Sequence, residues 1–495
     1  MKNLLKILKF KKKLFPNIFS RGAILIQILV FSSLAAIMIT ALSNWSANDL
    51  KLGKKELRRE TAFQVAEAGI EYYRWHLAAS STDFMDGTYA PGPYIHNYYD
   101  KDGNLLGTFS LEITPEGTGS TKVKIISTGT VVDDSNITRK IEVMLAKPSF
   151  AEYAIATDSD VYIGEGTEVF GPVHANGGVR FDGYAHNIVS SSLSSYKDPS
   201  HNLPTDEYAV HTHLDESGTV LLDGADPVPP EALPVRSDVF EVGRAFPVPE
   251  MDFDRFTKDL YNLKELAKEN GIFLSDSGML GYHLVLKTDD TFDIYKVSTE
   301  TSLPSGCSQY GGIFGWGPWS IDTETFIENQ PFPANGIIFV DDHAWVDGQI
   351  NGAKLTIATG RLPENQGQEK HIMVNKDLLY TSYDGTDKLG LVAQGNIIIG
   401  MTSEDDLRID GAMVGKTDRI LRYYYKEECA PYDIRNNIYL YGSLTSSDTY
   451  GFSYDDGNGY QNITIVFDPE LLYEPPPSFP LVSDEFQTVY WKEIK

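Results

Sequence analysis

Hydrophobic and polar positions divide the chain into three stretches with different periods. The first is an unbroken apolar run: residues 23–43 carry no formal charge and no proline, and their length matches the ~20 residues that a bilayer-spanning helix requires. Polar residues then return, but Phe63, Ala66, Ile70, Tyr73 and Leu77 recur at helical spacing, so an apolar stripe continues to about residue 79. One helix over 23–79 would be roughly 80 Å long, with Gly53 and Gly69 the residues that threaten its continuity. Its first half is expected to cross a membrane, and its second half to pack on a neighbour or a sheet.

The second stretch, 80–147, changes to a period of two. Residues 80–104 are rich in Gly, Pro, Tyr and Asp and read as a loop or linker. Strand-like runs follow at 107–113, 122–132 and 137–145, separated by turn sequences at 114–119 and 133–136. An antiparallel meander is expected, with Phe109, Leu111, Ile113, Val123 and Ile125 on the face that covers the helical stripe. Asp100-Lys101-Asp102-Gly103-Asn104 resembles the first half of a calcium loop. A strand follows where that pattern needs a helix and a later Glu, so a hairpin turn on Asp-Gly is the better reading.

From Pro148 to about residue 480 the pattern is short apolar strands punctuated by glycine. Strand starts recur near every nine residues or so from Val161 through Val169 to Val179, and the same texture returns at 336–357 and 389–414. Such a pattern suits the rungs of a parallel β-solenoid; because no period repeats strictly, an antiparallel sandwich is the alternative. A helix-hairpin insertion is expected near 252–297. Its helix carries Phe256, Leu260, Leu263 and Ala267 on one face, capped by Asp252 or Asp254 and ended by Gly271. A hairpin over 282–286 and 292–297 comes next. The aromatic loop at 311–319 reads as a binding surface or as packing over a solenoid end. Residues 481–495 read as an edge strand or C-terminal tail. The expected fold class is therefore α+β and all-β: a long N-terminal helix, a small meander and a large β-rich, solenoid-like domain.

Charge sharpens the membrane reading. The chain of 495 residues carries a net charge of −27, yet its first 22 residues contain seven basic residues and no acid. Basic before the apolar run and acidic after it, the chain is oriented with its N-terminus in the cytoplasm and its bulk outside. An acidic ectodomain argues against nucleic acid as a partner, since phosphate binding needs clustered Lys and Arg. Cys307 and Cys429 are the only cysteines; they form one disulfide in an oxidising exterior or are buried and unpaired, and no partner pair stands at zinc-ligand spacing.

A short basic leader ending at Gly22, an apolar half-helix and an amphipathic half-helix together resemble the N-terminus of type IV pilins. The run Ala62-Phe63-Gln64-Val65-Ala66-Glu67-Ala68-Gly69 is similar in particular to that of PilX-type minor pilins. The resemblance covers about the first 80 residues. It implies cleavage after Gly22 by a prepilin peptidase, N-methylation of Ala23, extraction from the inner membrane by the pilus assembly machinery, and other pilins as partners in a surface filament. The bland alternative is an uncleaved signal anchor. Type IV pilins usually carry Glu at the fifth mature position, where it compensates the amino group of the subunit ahead; here Gln27 stands there and is neutral. Either assembly here does not use that contact, or this subunit has no subunit ahead of it. Minor pilins and pseudopilins that lack this Glu and carry large globular domains look like tip subunits, so the resemblance implies a tip position, with adhesion to a polysaccharide or protein surface as the expected role.

The rival class is a membrane-anchored or secreted β-helix enzyme acting on polysaccharide. Asp341, Asp342, His343 and Asp347 are the best acidic cluster, but adjacent Asp residues point to opposite faces of a strand, so at most one of them shares a site with Asp347. His174, His211 and His213 are the other notable histidines. His211 and His213 could share one strand face as metal ligands, yet no nearby Cys or third His completes a set, and a surface loop is the favoured reading. No Walker loop, G-x-S-x-G or H-E-x-x-H occurs. No catalytic residue, metal or cofactor is assigned.

Overall fold

The computed structural model describes residues 21–115, 121–199, 205–222, 224–308, 315–454, 456–472 and 474–494, with backbone alone for 21–23. The basic leader up to residue 20, most of the turn at 114–119 and the start of the aromatic loop (311–314) lie outside the described residues.

One continuous helix, α1 (Arg21–Ala79), spans 59 residues and passes through both Gly53 and Gly69. Its two halves have opposite surroundings. Residues 24–55 are exposed throughout, including Phe31, Ile37, Leu42 and Trp45, and α1 is the one helix among the described residues long and apolar enough to cross a membrane. Ala62, Val65, Ala66, Ile70, Tyr73 and Leu77 are buried against a sheet. Phe63 is only half-buried, beside Trp491, so the stripe centres on Val65 and Ala66.

That sheet comprises β1 (Tyr94–Tyr99), β2 (Leu105–Pro115), β3 (Lys122–Val131) and β4 (Asp134–Ala146), all antiparallel. Strand β1 falls in the stretch read as a loop. The Asp100 carboxylate accepts from the Asp102 and Asn104 amides and closes the turn into β2. The helix lies so close that a Cβ on Gly129 of β3 would sit 2.1 Å from the Ala62 carbonyl oxygen. Leu111, Val123, Ile125, Ile141, Val143 and Leu145 complete the shared core. The last strand, Gln487–Ile494, adds to the free edge of β4. The C-terminal segment is thus an edge strand of the first sheet and not a tail.

Among the described residues the large module is built mainly from parallel ladders, with an antiparallel arm formed by Gly281–Leu286, Thr291–Glu300 and Ile321–Pro331 and a short antiparallel pair, Ser195–Tyr196 with Glu207–Tyr208. The hairpin was expected; the third strand was not. One apolar column runs in register through nine strands: Ile272, Ile338, Ile357, Leu391, Met413, Leu444, Ile155, Val173 and Val189. The order of those numbers shows how the chain is threaded. It enters in the middle at Ile155–Thr157 and builds out to Arg244–Ala245. It then restarts at the opposite end with Ile272–Leu274 and builds back until Ile434–Ser446 meets Ile155–Thr157. Between the two runs lies α2 (Phe256–Asn270), whose Phe256, Leu260, Leu263 and Ala267 are buried on the outer face of the ladder with Ala156, Phe339, Ala358, Val392 and Val414. Gly271 ends α2 as expected, but neither Asp252 nor Asp254 caps it: a 3₁₀ turn, Phe253–Arg255, leads in, and Arg255 takes the cap position without a side-chain bond.

Candidate functional site

Three groups of residues carry possible function: the free half of α1, the acidic group at 341–347, and the histidines. Gly22 and Ala23 lie in the first turn of α1, and Gln27 is exposed on it. A row of large apolar side chains from Ile24 to Leu57, half or more exposed in most cases, is a surface that water alone does not satisfy.

The acidic group does not converge. Asp341 bonds Lys264 of α2 at 3.1 Å. Asp342 is buried and is held by Lys370 at 2.8 Å and by the Ser277 hydroxyl and amide; burial pushes its carboxyl up, but these donors outweigh burial and hold it below the usual range. His343 turns to the other face, where its Nδ1 accepts from the His371 amide and its ring stacks on His371 at 5.1 Å. Burial lowers the two rings to about 3 and about 4. Asp347 bonds His283 Nε2 at 2.9 Å. Each acid therefore has its own structural partner: Asp341 and Asp342 lie in the bend between the strands Ile337–Val340 and Ala344–Ile350, and Asp347 lies within the second of these.

His283 is the member that the sequence did not flag, since its partners Asp347 and Glu324 stand 41 or more positions away. Burial opposes its charging, but the two carboxylates outweigh burial and raise its pKa to about 9. A folded-state pKa above the unfolded value of ~6.5 gives stability that is present below pH ~6.5 and lost as pH rises through about 9, on the order of 3 kcal/mol. His343 and His371 act in the opposite sense: their depressed pKa values remove stability as pH falls below ~6.5. Urea midpoints of the detergent-solubilised chain should decline from pH 7 to 9.5, and His283→Gln should flatten that limb while lowering the whole curve. An unchanged slope in the variant would contradict the assignment.

The histidines at 174, 211 and 213 are buried, which corrects the reading of a surface loop. His174 bonds Ser190 and Asn176. His211 ends the short strand Val210–His211, which pairs in parallel with Val179–Phe181. Pairing of Ser195–Tyr196 with Glu207–Tyr208 brings Asp198 and Glu207 against both rings. His211 Nε2 stands 3.4 Å from Asp198 Oδ2 and 3.6 Å from Glu207 Oε2; His213 Nε2 stands 3.6 Å from Asp198 Oδ2. The set was sought among Cys and His, whereas its missing members are carboxylates. The one sequence signal is Glu207-x3-His211-x-His213; Asp198 arrives only through the strand pairing.

Cys307 is joined to Cys429, in a buried cluster with Trp345, Met373, Tyr423 and Tyr425. Trp316 and Trp319, the described aromatics of the loop at 311–319, pack against that cluster, and Trp316 Nε1 donates to the Tyr424 carbonyl.

No family model and no curated protein matches the chain. Among solved structures, the crystal structure of the competence-associated pilin ComZ from Thermus thermophilus aligns with 88% of this chain and 97% of that one, at 14% identity and a TM-score of 0.29.

Proposed function

We propose that this chain is a pilin-like subunit of a type IV pilus or related filament, of the PilX-like minor type, carried at the tip for surface adhesion. The observation that carries the reading is the division of α1: residues 62–77 are locked on the meander, while the apolar half before them projects with no burial at all. That half suits lipid first and a bundle of like helices afterwards. The ladders are read as a parallel β-solenoid held out from that bundle. A prepilin peptidase that cleaves after Gly22 would leave Ala23 as the mature N-terminus, with the bulk of the chain extracytoplasmic and a polysaccharide or protein as the surface ligand.

Tip placement rests on Gln27 and on size. A subunit lying beneath another would meet that neighbour's amino group with a neutral side chain, and an unpaired charge in a low-dielectric bundle costs several kcal/mol. The module from residue 150 to 467 is also too bulky to repeat on a tight helical lattice. Antibody labelling of surface filaments should find few copies, confined to one end, and Gln27→Glu should leave them there because the steric term remains. Dense labelling along the shaft of the unmodified filament would overturn the placement.

A further inference from the structure

We infer that Asp198, Glu207, His211 and His213 form a structural site for one divalent transition-metal ion, with zinc the best fit. One ligand atom from each of the four residues lies within 4.8 Å of all the others, and the four residues are 4%, 4%, 2% and 1% exposed. The distances distinguish a metal from direct ion pairing. A charge-assisted N–H···O bond spans ~2.7–2.9 Å, shorter than the 3.4 to 3.6 Å between rings and carboxylates here. A tetrahedron whose N and O ligands stand ~2.1 Å from a central zinc has edges of about 3.4 Å, so these separations match ligands drawn around one ion.

The protonation pattern of His211 points the same way. Its Nδ1 lies 3.2 Å from the Tyr208 carbonyl oxygen. That oxygen can only accept, so Nδ1 carries the proton, and in the neutral ring Nε2 is left with a lone pair. Nε2 is buried, makes no hydrogen bond among the described residues and faces the two carboxylates. A lone pair aimed at two anions is repulsive; a cation between them turns all three into ligands. A carbonyl holding the far nitrogen is also the usual way in which the orientation of a metal-bound imidazole is fixed. Mixed imidazole and carboxylate donors suit zinc better than calcium or magnesium, which prefer all-oxygen shells.

Four protein ligands at this burial leave no open position, so the ion's role is to hold the fold. It would fasten the pair Ser195–Tyr196 and Glu207–Tyr208 to the strand Val210–His211, on the run of the module that ends at Arg244–Ala245.

The test is metal content of the untagged full chain, purified in detergent without chelator. About one zinc per chain is expected by elemental analysis. Replacement by Co2+ should give the intense visible absorption of a four-coordinate site, and chelator should lower the melting temperature in a way that added Zn2+ reverses. Glu207→Gln should weaken Zn2+ binding by at least about 100-fold, and His211→Gln with His213→Gln should abolish it. Should the double variant fail to fold, the cobalt spectrum of the unmodified chain still decides the point. A chain that takes up neither Zn2+ nor Co2+ and melts unchanged with chelator would overturn the site, leaving ring protons to hold the carboxylates. Zinc retained by a folded double variant would overturn it equally.

Discussion

Leu444→Asp is expected to unfold the whole parallel module, including residues 155–245, which precede it by about 200 to 290 positions in the chain. Leu444 is 1% exposed and sits in the apolar column between Met413 and Ile155. It is the seam at which the end of the module closes on its beginning. Removing the leucine forfeits about 2–3 kcal/mol of burial, and an unpaired carboxylate there costs several more. Against a typical stability of ~5–15 kcal/mol, the sum is decisive. The threading dictates where the damage spreads. Ile155–Thr157 is bounded in the ladder by Ile434–Ser446 on one side and Val173–Ala175 on the other, so a broken seam strips the first run of its inner neighbour. Hydrogen exchange should show protection lost over both 155–191 and 406–467. If 155–191 stayed protected in the variant, the two runs would be independent units and the continuous column would be wrong.

Breaking the Cys307–Cys429 bond should have the second-largest effect. The bond closes a loop of 122 positions, and a loop of that length removes chain entropy from the unfolded state worth roughly 5 kcal/mol. Both cysteines are buried, at 8% and 0% exposure, so reductant should act slowly on the native chain and quickly once it opens. Cys307→Ala with Cys429→Ala should lower the urea midpoint accordingly, and alkylation of the native, unreduced protein should label neither residue. Labelling of both thiols without reductant would contradict the bond.

How much of this was legible in the sequence depends on how far apart the interacting residues lie. α1 was legible almost to the residue, because both its apolar run and its stripe are local patterns. The meander was legible except for β1, where Tyr94, Ile95, His96 and Asn97 alternate in burial but share a Gly- and Pro-rich neighbourhood that reads as loop. Short strands separated by glycine were visible in the module, at 336–357 and 389–414 among other places. The re-entry of the chain at Ile155 was not, since nothing local tells a strand which remote strand it will pair with. The candidate sites failed for the same reason. At most one of Asp341 and Asp342 was expected to share a site with Asp347; neither does, because the remote partners Lys264, Lys370 and His283 hold the three acids separately. His211 and His213 were visible as a pair, but their carboxylate partners meet them only through folding.

The central claim is that α1 is a pilin-type helix, freed of its leader and assembled through its exposed half. Its most direct test is the N-terminal sequence of the protein recovered from sheared surface filaments. The account predicts a chain beginning at Ala23, and retention of the leader in Gly22→Glu together with loss of that variant from the sheared fraction. Protein that begins at Met1 and stays in the membrane fraction would contradict it, leaving α1 as a simple anchor.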